Sequence, residues 1–133
     1  MLKINWNARR QLSLILWLVA LHSLCAGVCL ISFPAHIIQM FGFSLYQERF
    51  FPVQGGMFHI VISMVYALCA LRVERFGGVI ILSVIIKFIA FFFLLCYYLF
   101  VQDIWFVLLA GIMDGFMGAV ILWSFLLYKR NEK

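Results

Sequence analysis

Charge is the scarcest property of this sequence: only 11% of its 133 residues are Asp, Glu, Lys or Arg, against about 25% in ordinary globular chains. Such a chain has no basic stripe interleaved with polar groups, which a nucleic-acid interface requires. Proline is nearly as rare, with Pro34 and Pro52 the only two, so long segments run without a helix breaker. Metal and nucleophile motifs are absent as well. No H-x-x-H or E-x-x-H occurs, whereas zinc needs three or four clustered ligands, so no metal site is expected. The four cysteines form no C-x-x-C pair: Cys25 and Cys29 share one segment, and Cys69 and Cys96 stand apart. They are expected to be small apolar fillers. No phosphate loop or nucleophile elbow is found.

What remains is hydrocarbon. Hydrophobic residues make up 67% of the chain and the mean hydropathy is +1.12, which places it among integral membrane proteins. Four apolar stretches, about 11–33, 52–72, 78–100 and 104–128, each reach the roughly 20 residues that cross a bilayer core as helix. Together they predict one all-α transmembrane domain over residues 1–133. The first stretch follows Lys3, Arg9 and Arg10 but is longer than a signal h-region of about 7–15 residues and precedes no A-x-A site, so it is read as a spanning helix.

Lys3, Arg9, Arg10, Arg72, Arg75, Lys129, Arg130 and Lys133 fall on one side of these spans, and only Arg49 on the other. The positive-inside rule then predicts a multi-pass membrane protein with both termini cytoplasmic. The long connection FPAHIIQMFGFSLYQERFFPVQGG has apolar residues at helical spacing after Pro34. It predicts a short interfacial helix stopped at Gly42, then a polar patch Gln47, Glu48 and Arg49. The remaining connections are short, which makes neighbours antiparallel and predicts an up-down four-helix bundle.

Two spans carry one opposite charge each near mid-depth, Lys87 and Asp114, both about 15 Å in at 1.5 Å per residue. An unpaired charge in lipid costs about 2.5–3.5 kcal/mol on insertion scales, so the two are expected to pair. His22 and His59 reach similar depth on the first two spans. Ser63 shares a stripe with His59 and Tyr66, and Ser83 shares a face with Lys87. Gly111, Gly115 and Gly118 surround Asp114 at the spacing that lets membrane helices approach closely. The candidate ligand-binding set is therefore His22, His59, Lys87, Asp114, Ser63 and Ser83, around a pocket opening near Gly55 and Gly56. Plain structural roles compete with this: an ion pair that fixes helix register, and imidazoles that are hydrogen-bonded packing residues. No cofactor is predicted, although two imidazoles at one depth on facing helices also meet the requirement of bis-histidine haem.

The first span ends in G-x-x-L-I-x-F-P and the loop closes on MFGF. The second span contains Gly55-Gly56 and closes on YALCALR, and Lys87 and Asp114 sit centrally in the third and fourth. In these features nearly the whole chain resembles the DoxX-like four-helix membrane proteins of bacteria. Some members of that group are accessory subunits of quinone-reducing enzymes, and distant structural relatives hold sterols or other lipophilic molecules inside the bundle. The resemblance implies a bundle with an internal pocket and transfers no catalytic residue.

Three function classes follow. The first is an accessory or ligand-binding subunit whose polar mid-membrane groups hold a lipid or quinone, partnered by membrane lipids and by a larger complex or a second copy. The second is a small proton-coupled transporter or channel, working as a dimer. The third is a membrane enzyme using His and Asp as acid and base, for which residues are present but no motif. The first is the expectation carried forward.

Overall fold

The computed structural model describes residues 6–44 and 49–132; Lys3, Gln47, Glu48 and Lys133 lie outside them. Five helices follow in order: α1 Trp6–Ser32, α2 Ala35–Met40, α3 Phe50–Leu71, α4 Gly77–Phe100 and α5 Trp105–Glu132. All except α2 are long and apolar enough to cross a membrane. The protein is an all-α, multi-pass membrane bundle with a short helix in its long connection.

Helix ends follow the punctuation of the sequence, with two extensions. Pro34 separates α1 from α2 in extended geometry (φ −70°, ψ 160°), because a proline pushes the residue before it out of the helical region. Gly42 ends α2 at φ +92°, the one left-handed residue among those described, a conformation cheap only for glycine. α1 starts about a turn before its apolar stretch and α5 runs past Tyr128. Arg9, Arg10 and Gln11 are good helix formers, and Lys129 and Arg130 in the last turn of α5 oppose its dipole. Hydrophobicity marks where a helix is in lipid; propensity and charge carry it further.

The four long helices form two close pairs. α1 packs most extensively on α3 and α4 on α5, whereas α1 with α5 and especially α3 with α4 touch less. Each close pair is made possible by missing side chains. A Cβ on Gly27 of α1 would lie 2.7 Å from the Gly56 carbonyl oxygen of α3, and one on Gly56 would lie 2.7 Å from that of Gly27. On α5, Gly111, Gly115 and Gly118 receive Leu94, Phe91 and the Lys87 stem of α4, with added Cβ atoms at 3.0–3.1 Å. Small residues in this role are the usual means of close helix approach where lipid supplies no hydrophobic drive.

The two pairs meet in one hydrophobic core, and it fills only half of the molecule. Its members are Leu12, Leu16, Val19 and Ala20 of α1, Tyr66, Cys69 and Ala70 of α3 with Val73 just beyond it, Ile80 and Val84 of α4, and Met117, Ile121, Phe125 and Tyr128 of α5. They lie from mid-depth to the end that carries the start of α1, the end of α5 and the 72–76 turn, here the terminal half. Ser13 donates to the Ala70 carbonyl at 2.7 Å and Arg9 pairs with Glu74, tying α1 to α3 and the turn. In the other half, the α2 half, the buried residues of α1 and α3 are Ser23, Gly27 and Gly56. There Phe41 after α2 packs on Phe106 (ring centroids 4.6 Å apart) and Trp105 (6.2 Å). Arg49 donates to the carbonyls of Ile31 (2.8 Å) and Phe33 (3.2 Å) at the end of α1. The loop is thus fastened at both ends.

Candidate functional site

The site grows from the boundary between these halves. Lys87, near the middle of α4, sends its ammonium to Asp114 of α5, with Nζ 2.5 Å from Oδ1. The side chains are 6% and 14% exposed. The Lys87 stem lies across Gly118, so α5 gives up a side chain where α4 needs room to extend its charge along the helix. Nζ also stands 5.7 Å from the ring centroid of Tyr66, within cation–π range, and Tyr66 is almost fully buried in the core below. The positive charge is therefore held by a carboxylate on one helix and an aromatic face on another.

His59 lies one turn from Gly56 on α3, half-buried, with an Nδ1 that is buried and has no hydrogen-bond partner. Ser23 Oγ on α1 is likewise buried and without a partner. Lys87 and Asp114 are close enough to act electrostatically on both His22 and His59. Counted from the Gly27–Gly56 crossing, the two imidazoles lie within about 5 Å of each other in depth.

They do not, however, border one closed pocket. His22 is exposed on the bundle surface, where it caps a groove of about 200 Å³ between α1 and α5. The walls are Ile15 and Leu18 on α1 and Met113, Phe116 and Val120 on α5. Nor does Gly56 leave an entrance: α1 fills that space with Gly27 and Ile31, whereas Gly55 beside it meets only a Leu30 methyl at 4.0 Å. Gly56 serves the helix crossing. Ser63 and Ser83 are buried but turned inward on their own helices, donating to the carbonyls of Ile60 (2.6 Å) and Val79 (2.8 Å). Their donors are spent locally, a common habit of hydroxyls within helices.

Two residues here stand outside the candidate ligand set. Tyr66 was placed on the His59 stripe by its spacing but not given a role. Ser23 has no signal beyond its place next to His22. Among the described residues no group of His, Cys, Asp and Glu could hold a metal ion, and all four cysteines are free. No protein-family model, curated protein or solved structure matches this chain.

Proposed function

We propose that the protein is an accessory, ligand-binding membrane subunit, set in a bacterial inner membrane with both termini in the cytoplasm. It holds the polar group of a lipophilic molecule, such as a lipid or quinone, beside the mid-membrane cluster of His22, His59, Lys87 and Asp114. One observation carries the reading: neither imidazole makes a hydrogen bond among the described residues, although both sit at mid-depth beside a charge pair. Leucine at either position would serve packing alone. A polar group in hydrocarbon is costly unless it is satisfied, and intramembrane titratable groups are by default functional. The DoxX-like features of the sequence point to the same use.

The test is to isolate the protein in polymer-bounded native membrane discs, extract it, and identify retained lipophiles by mass spectrometry. One lipophile per chain is expected with the natural protein, falling to background in the His22→Leu, His59→Leu double variant. Recovery of the bulk lipid mixture from both would end this reading. Orientation is tested separately: reporter fusions at Arg130 and Gln102 should report opposite sides, and the same side for both would overturn it.

A further inference from the structure

The groove between α1 and α5 has a polarity of its own. Among the described residues its only polar wall residue is His22, at the mid-depth end; toward the terminal half it is lined by Leu18 and Ile15 and, across from them, Phe116 and Val120. From residue 15 to residue 22 the wall is about 10 Å long. A phospholipid of the leaflet on that side carries its headgroup at the interface and its chain ends at mid-depth, the reverse of this order. What fits is a molecule with one hydrogen-bonding group at its deep end and an apolar body pointing back toward the terminal end.

Charge narrows the class further. The ammonium of Lys87 and the carboxylate of Asp114 are 2.5 Å apart and cancel, and Asp114 directly follows the groove residue Met113. The groove therefore has no net charge with which to hold an anionic or cationic head away from water. A neutral imidazole offers one donor and one acceptor, which suits a hydroxyl or a carbonyl.

We infer that the α1/α5 groove binds a neutral, single-tailed lipophile bearing a hydroxyl or carbonyl group, with that group on the His22 imidazole and the tail lying toward Ile15 and Val120. This rests on the binding reading above and adds the face, the residue and the ligand class. His22 carries the contact in this groove, whose lining does not include His59.

The experiment uses the full chain in lipid discs and octanol with a photoreactive diazirine at its tail end, beside the matching octanoic acid. Labelled residues are read by peptide mass spectrometry, with unlabelled octanol as competitor. The alcohol should label saturably at Ile15, Val120 or their groove neighbours, and the acid should not. Loss of a single neutral hydrogen bond should weaken competition by about threefold to tenfold in His22→Leu. His22→Gln, which keeps a donor and an acceptor, should restore most of it, and Phe92→Ala, on the exposed surface of α4 outside the groove, should leave it unchanged. Labelling concentrated at the His22 and Met113 level would reverse the orientation and overturn the assignment. So would equal labelling by the acid, or competition in His22→Leu as strong as in the natural protein, while either leaves the general binding reading standing. Label that no competitor displaces, spread over the lipid-facing surface or blocked only by self-association of the chain, would overturn both.

Discussion

The two halves of this bundle are built on different principles although the same four apolar helices run through both. In the terminal half, four helices share one core in which Leu12, Leu16, Tyr66, Ile80, Ile121 and Tyr128 are almost fully buried. In the α2 half the helices are held two by two, by backbone approaching backbone at Gly27 and Gly56 and by Leu94 and Phe91 resting on the glycines of α5. The first arrangement is satisfied from within. The second leaves faces uncovered and relies on the Phe41 aromatic cluster and Arg49 to hold the loop end together. The Lys87–Asp114 pair marks where one gives way to the other. A structural half and a receptive half can thus share the same four helices.

The sharpest way to break this contrast is at the boundary. Lys87→Met or Asp114→Leu alone should cost about 3–5 kcal/mol of stability in detergent by leaving one buried charge unpaired, and the double variant should recover most of it. A double variant no better than the worse single would remove the pair from the account. Within the terminal half, Leu16→Ala should cost about 2–5 kcal/mol, while truncating Phe92, on the bundle surface, should change stability by less than about 0.5 kcal/mol. Similar costs at both positions would mean that the core is not confined as described. In the α2 half, Gly27→Ala should cost about 1–3 kcal/mol, the usual range for overpacking, because its Cβ meets a backbone oxygen that cannot step aside. Gly78→Ala, with nothing within 4 Å, is the matched control and should be neutral. Apart from the Phe92 and Gly78 controls, Arg49→Ala should have the smallest effect, about 0.5–1 kcal/mol for exposed hydrogen bonds, seen as faster proteolysis of the loop before global unfolding shifts.

Much of this was legible in the chain, and the misses share one cause. Hydropathy, Pro34 and Gly42 indicated the helices and their order, because span length and backbone punctuation are local properties. Depth was legible too: counting along α4 and α5 put Lys87 level enough with Asp114 to suggest their pairing. What the sequence could not give is rotation. A lipid-facing side of a helix is as apolar as a core-facing side, so nothing local distinguished a Gly56 lining an entrance from one pressed against Gly27. The same ambiguity hid that His22 looks out over a groove while His59 turns partly inward. Ser63 and Ser83 illustrate a different limit, since a hydroxyl on the right face can still spend its donor on its own helix.

The sparse contact between α3 and α4 has a consequence for how the chain can be cut. The partner of α3 is α1 and the partner of α4 is α5, so the 72–76 turn is a seam between two prefabricated hairpins. The first contains its own Gly27–Gly56 crossing, its Ser13–Ala70 tie and the Arg49 clamp; the second contains the whole Lys87–Asp114 pair. Neither fragment made by opening that turn would carry an orphaned charge into the membrane. A cut in the loop after Ser44 would separate α1 from the helix that covers it. By covalent order this is a chain of helices, but by assembly it is a dimer of unlike hairpins written as one polypeptide.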